Sequence, residues 1–124
     1  MRSALRVCVL LLCAGLVFAQ TPVKNPTAIW FNSADHDLAA VTGYEVDFLN
    51  ATTSAVVQTV SVAKASTTKQ ADGSIRVTMN VQPVAFGTYR FVARTVAGAI
   101  KSDNSLATEV WERSPGAPSK PTVQ

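Results

Sequence analysis

The side chains with the chemistry to act on a ligand are few and scattered. Asp35, His36 and Asp37 stand together, and carboxylates two apart can ligate calcium while a histidine can ligate zinc. Calcium needs about 6 to 8 oxygens. This loop supplies few, and it lacks the glycine of the common calcium loop. His36 is the single histidine and both cysteines, Cys8 and Cys13, lie near the amino terminus, so a zinc site in the later chain is short of ligands. The loop reads as a solvated turn, and neither metal nor cofactor is expected. Beyond Cys13 there is no cysteine nucleophile, and the carboxylates are spread along the chain, so no nucleophile, base and orienter come together. A non-enzymatic protein is expected.

The elements that position these residues begin after residue 19. Arg2 and Arg6 precede an apolar run from Val7 to Phe18, and Val17 and Ala19 occupy the minus three and minus one positions of a cut before Gln20. This pattern reads as a secretory signal peptide over 1–19. The run is too short for a bilayer span of about 20 residues, and no second apolar run follows, so no membrane span is expected after cleavage. The exported product is then residues 20–124, secreted to the extracellular space or to the periplasm of a Gram-negative cell. Cys8 and Cys13 leave with the signal, so a compartment that permits disulfides receives a chain without one. Its stability has to come from packing, and its length suits one domain. The formal charge of +3 includes Arg2 and Arg6. Without them nine basic residues face eight acidic ones, so a nucleic-acid or anionic-membrane partner is not expected.

The exported chain is patterned as short strands. Residues 20–26, with two prolines, suit a linker or a very short edge strand. Thr27 to Asn32 reads as a strand in which Ile29 and Phe31 compete with Ala28 and Trp30 for the inner face, and Trp30 is expected inward. Tyr44, Val46 and Phe48 alternate with Glu45 and Asp47, the mark of a half-buried strand. Val56 to Val62 is β-branched, and Lys64 to Gly73 is a polar connection. Ile75, Val77, Met79 and Val81 alternate with Arg76, Thr78 and Asn80. Tyr89, Phe91, Ala93 and Thr95 alternate with Arg90, Val92 and Arg94. Leu106 to Glu112 is expected as the last strand. Residues 114–124, with three prolines, read as a linker or disordered tail. Nothing carries a helical period, and about seven strands at regular spacing predict an all-β, antiparallel, two-sheet sandwich.

Trp30 on an early strand, Gly43, Tyr44 and Val46 opening a later one, and Gly87, Thr88, Tyr89, Phe91 and Ser102 near the end resemble a fibronectin type III domain of the immunoglobulin-like kind. The resemblance covers residues 27–113 and is that of a divergent member: Thr88 and Tyr89 are adjacent where the family separates them by one residue. It implies a tyrosine corner, with the Tyr89 hydroxyl bonded back to the backbone of the preceding loop. It gives Trp30, Tyr44, Tyr89 and Phe91 structural roles. It also makes the strands starting at Tyr44 and Tyr89 neighbours, so Glu45 and Asp47 should face Arg90 and Arg94 as cross-strand ion pairs.

With Val110 inward, Trp111 would join Arg90 and Arg94 on that outer face, as cation-π neighbours and as the candidate binding face. The plainer reading of the same residues is shielding of the sheet. Asn50, Ala51 and Thr52 form a glycosylation sequon in a turn, usable only in a eukaryotic secretory pathway. The function expected is a binding or adhesion module for protein or carbohydrate surfaces. The alternative is a structural subunit of a surface or particle assembly, self-associating through an open sheet edge or the tail.

Overall fold

A computed structural model describes residues 21–124, and the signal-peptide reading of residues 1–19 lies outside the described residues. The described chain is nearly all β, with one three-residue 3-10 turn at Lys64–Ser66. Its strands are β1 (Val23–Lys24), β2 (Ala28–Phe31), β3 (Gly43–Asn50), β4 (Val56–Ala63), β5 (Thr68–Lys69), β6 (Ile75–Thr78), β7 (Gly87–Ala97), β8 (Ile100–Lys101) and β9 (Trp111–Arg113). One sheet runs β1-β9-β7-β3-β4 with β8 against β7, and the other runs β2-β6-β5. The pairing is antiparallel except between β1 and β9, which are parallel with Val23 opposite Trp111.

The period-two stripes build the core between the sheets. Tyr44, Val46 and Phe48 from β3, Ile75 and Val77 from β6, and Tyr89, Phe91 and Ala93 from β7 are buried in one cluster. Full burial of a Val, Ile or Phe side chain contributes about 1.5–3 kcal/mol. With no cysteine after Cys13, this cluster, not a crosslink, holds the sheets together. The Tyr89 hydroxyl donates to the Ala85 carbonyl at 2.7 Å, so the buried phenol is satisfied at the corner that leads into β7. Residue 43, at the start of β3, is a glycine because β4 passes too close for a side chain: a Cβ there would overlap the Val62 carbonyl oxygen.

Two tryptophans stand opposite to expectation. Trp30 is 58% exposed, not inward. β6 decides this: Ile29 pairs with Val77 and Phe31 with Ile75, both core residues, which leaves Trp30 opposite Arg76 on the outer face. Trp111 is 3% exposed and lies in the core, its ring centroid 4.7 Å from Phe91, 5.0 Å from Tyr89 and 5.8 Å from Phe48. It pairs directly with Tyr89, and residues directly opposite in a ladder share a face.

The last strand is also shorter than expected, since Leu106 is 94% exposed and only Trp111–Arg113 are strand. Between β8 and β9 the chain follows β7 by a different device. Ser102, Ser105 and Thr108 donate their backbone N–H to the carbonyls of Thr95, Ala93 and Phe91 at 2.9, 2.8 and 2.9 Å. Their hydroxyls accept the N–H of those same three residues at 2.8, 2.9 and 2.9 Å. Each hydroxyl also donates to the carbonyl of the next residue. Every third residue therefore replaces a ladder carbonyl with a side chain, and the two residues between bulge away from β7.

At the amino-terminal end, Asn25 adopts a positive φ of 47° and clamps β1 to the end of β9. Its N–H donates to the Glu112 carbonyl, and its side chain exchanges bonds with the Ser114 backbone. Residues 20–26 were open between linker and edge strand, and of them 23–24 form the short edge strand. Beyond Ser114 the tail is exposed and without regular structure.

Candidate functional site

The most prominent aromatic on the outer surface of the smaller sheet follows from the register just described. Burial of Ile29 and Phe31 forces Trp30 outward, and pairing with β6 sets Arg76 beside it, with Thr68 of β5 next in the same row. The Arg76 guanidinium carbon lies 5.6 Å from the Trp30 ring centroid, within cation-π range. Among the described residues Arg76 has no carboxylate in salt-bridge range, so its charge is not neutralised within the fold. Trp30 and Arg76 thus form a flat apolar ledge with a cation at its rim, held on strands rather than loops. A second pair, Arg113 5.1 Å from the Phe86 centroid, differs because Arg113 also bonds Asn25 and the Ser114 carbonyl and so serves the clamp.

The structure does not bring together the face expected at Trp111, Arg90 and Arg94. Trp111 is in the core. Arg90 stands opposite Leu49, not opposite an acid, and its Nη1 donates to the Thr108 carbonyl at 2.9 Å. Arg94 alone makes the expected ion pairs, through Nε to Glu45 at 2.9 Å and Nη1 to Asp47 at 2.7 Å. Lys101 reaches Glu45 at 2.9 Å and Thr59 donates to Asp47 at 2.7 Å. Burial pushes the Asp47 carboxyl up, and Arg94 with Thr59 more than reverses this, leaving it below its ordinary value. Lys101 and then Arg94 hold Glu45 below its ordinary value as well, and Asp47 and Glu45 push the Arg94 guanidinium up. Arg94 is committed to its own sheet.

The Asp35 to Asp37 loop is likewise occupied internally. Asp37 pairs with Lys69 at 2.6 Å, which lowers its carboxyl. His36 is buried, with Nδ1 2.6 Å from the Tyr44 hydroxyl and its ring stacked on the Tyr44 ring at 8° between planes. His36 therefore closes the core over Tyr44, a role its polar neighbours hid in the sequence. Among the described residues no three His, Cys, Asp or Glu groups cluster as metal ligands. Asn50 ends β3, and its side-chain oxygen accepts the N–H groups of Thr52 and Thr53 in a tight turn. A cleft of about 190 Å³ involving Phe31, Tyr44, Arg94 and Ser105 is smaller than the roughly 300–1,000 Å³ of typical small-molecule sites, and one of about 380 Å³ along Thr42, Gly43, Ser61 and Val62 falls within that range as an open groove along the paired strands β3 and β4.

The signal for the ledge was present as the competition between Ile29, Phe31 and Trp30, which only the partner strand resolves. The signal for the β7 cover was the spacing of Ser102, Ser105 and Thr108, a period of three that belongs to neither strand nor helix. Comparison with protein-family models, curated proteins and solved structures finds no match to this chain.

Proposed function

We propose that this chain is a secreted, non-enzymatic binding or adhesion module that contacts a protein or carbohydrate surface through the Trp30–Arg76 ledge. The observation that carries the reading is the exposure of Trp30 beside an unneutralised guanidinium on paired strands. Tryptophan and arginine are enriched among the residues that dominate binding energy, and a tryptophan face also stacks on sugar rings. The titratable residues singled out in the Asp35 to Asp37 loop and on the β3–β7 face are largely engaged internally: Asp37 with Lys69, Asp47 and Glu45 with Arg94, His36 with Tyr44. Export is supported by the Arg2, Arg6 and Val7 to Phe18 pattern.

A fibronectin type III-like assignment belongs to the same proposal. Strand orders β2-β6-β5 and β9-β7-β3-β4 fit the immunoglobulin-like layout of one sheet built on B, E and D and another on G, F and C with an added neighbour. The Tyr89 to Ala85 bond fits its tyrosine corner. The test is to screen the exported chain against arrayed glycans and extracellular proteins, then repeat with Trp30→Ala. The expected result is a loss of about 2 kcal/mol or more of binding energy for any ligand found. Undiminished binding by Trp30→Ala refutes the ledge as the site.

A second reading, as a self-associating subunit of an assembly, is favoured by the free sheet edges. β2 and β4 each end a sheet with no strand on their outer side among the described residues.

A further inference from the structure

We propose that the outer edge of β4 is a self-association surface, on which β4 of a second copy pairs antiparallel about a two-fold axis at Val60. This rests on the assembly reading above and names its edge, occupant and register. The edges of the two sheets are not equivalent. β2 and β5 offer four and two residues. On the far side of the larger sheet, β1 and the bulged segment carrying Ser102, Ser105 and Thr108 cover β9 and β7 and present no regular row of backbone groups. β4 is eight residues long, Val-Val-Gln-Thr-Val-Ser-Val-Ala, without charge or proline. Its register irregularity is confined to the Val56 end. Natural edge strands of this length are normally blunted by charges, prolines or bulges, and an unblunted one accepts another strand.

The occupant follows from symmetry and charge. An isologous contact sets a surface against itself, so any charge on the edge would oppose its own copy, and β4 has none. With Val60 on the axis, Gln58 faces Val62 and Thr59 faces Ser61 of the other copy. Val60 and Val62 are only partly buried against the core, and the incoming strand would extend that apolar stripe across the axis. The hydrogen bonds are available with the same parity. Lys64 N–H donates to the Thr42 carbonyl, which assigns the even-numbered residues of β4 to β3 and turns the backbone groups of Thr59 and Ser61 outward. A pairing of about seven residues buries less than the roughly 800 Å² per partner of a standard interface, so the dimer should be concentration-dependent.

The experiment uses the protein recovered from an exporting host, measured by sedimentation and by hydrogen exchange from micromolar to millimolar concentration. Dimer mass at the upper end is expected, with Thr59 and Ser61 amides gaining protection as it forms. Ser61→Pro removes an outward donor without touching the β3 ladder, and Ser61→Lys places a charge on the edge. Each is expected to weaken association by about tenfold or more. Circular dichroism and melting of the dilute variants report the fold, and the exposed Ser61→Lys stands if Ser61→Pro fails to fold. A monomer at every concentration overturns both the β4 edge and the assembly reading. Association untouched by Ser61→Lys but lost on removing residues 115–124 overturns the β4 edge and leaves the assembly reading standing.

Discussion

Replacing Arg94 by methionine keeps most of the side-chain stem and removes the cation that serves Glu45 and Asp47. Glu45 keeps Lys101 at 2.9 Å. Asp47, whose side chain is 6% exposed, keeps only the Thr59 hydroxyl. Removing one partner of a fully buried pair costs about 3–5 kcal/mol, and an exposed pair contributes about 0–1. Arg94 still reaches solvent, so a loss of about 2 kcal/mol is expected at neutral pH. The sign with pH follows from the depressed carboxyls. Asp47 and Glu45 are held below their ordinary values, so the unfolded chain binds protons first on acidification. Their contribution is fully present above the ordinary carboxylate range and is lost as pH falls through the folded-state values. In Arg94→Met the burial of Asp47 is no longer opposed by the guanidinium, so its protonation becomes favourable in the fold. The assay is urea unfolding at pH 7, 5 and 3, followed by the fluorescence of buried Trp111. The gap between wild type and variant should be widest at pH 7 and narrow towards pH 3. A variant within about 0.5 kcal/mol of wild type at pH 7, or a gap that does not narrow with acid, refutes the reasoning.

Three further substitutions probe the packing. Trp111→Ala should cost about 3–5 kcal/mol in chemical denaturation, whereas Trp111→Phe should cost less than about 1.5, because the indole N–H it removes is buried without a partner. Ser105→Ala leaves the Ala93 N–H without its acceptor and should cost about 1 kcal/mol, with faster exchange at that amide, while Ser105→Thr should be near neutral because Thr108 fills an equivalent place. Gly43→Ala forces β4 away from β3 and should lower stability by about 1–3 kcal/mol in thermal unfolding.

Where one face of a strand is apolar and the other polar, alternation alone carried the structure. Tyr44, Val46 and Phe48, and likewise Ile75 and Val77, are buried as their spacing requires. Where both faces are apolar, as at Ala28, Ile29, Trp30 and Phe31, a shift by one residue exchanges the faces, and only the pairing with β6 chooses between them. Trp111 misled for a related reason. With Val110 and Trp111 adjacent, either could point inward, and the choice is made by Tyr89 opposite. The candidate face failed with it, because a surface assembled from three residues on two strands depends on both registers at once. The Ser102, Ser105 and Thr108 pattern was visible in the letters. Its meaning was not, since hydroxyls that replace ladder carbonyls need the neighbouring strand in place before their spacing can be read.

The ledge lies on the outer face of the smaller sheet and the β4 edge belongs to the larger one, and this makes their proposed roles compatible. Phe31 of β2 packs edge-on against Tyr44 of β3, with 4.9 Å between ring centroids, and shares a cleft with Ala93 and Thr95 of β7, so the β2 end of the smaller sheet lies over β3 and β7. Trp30, opposite Arg76, is on the outer face of the smaller sheet, whereas β4 is an end strand of the larger one. Pairing at β4 would leave Trp30 of each copy uncovered and facing out of the smaller sheet. A β4-linked dimer would then carry two ledges, and on a surface that presents many ligands the second contact becomes intramolecular. Avidity of this origin can add about a hundredfold to apparent affinity without a new contact. Ser61→Lys should therefore lower binding to a densely coated surface and leave binding to the same ligand free in solution unchanged, whereas Trp30→Ala should lower both. Equal losses in the two formats for Ser61→Lys would mean that β4 touches the ligand itself, and the division of roles between the two sheets would be wrong.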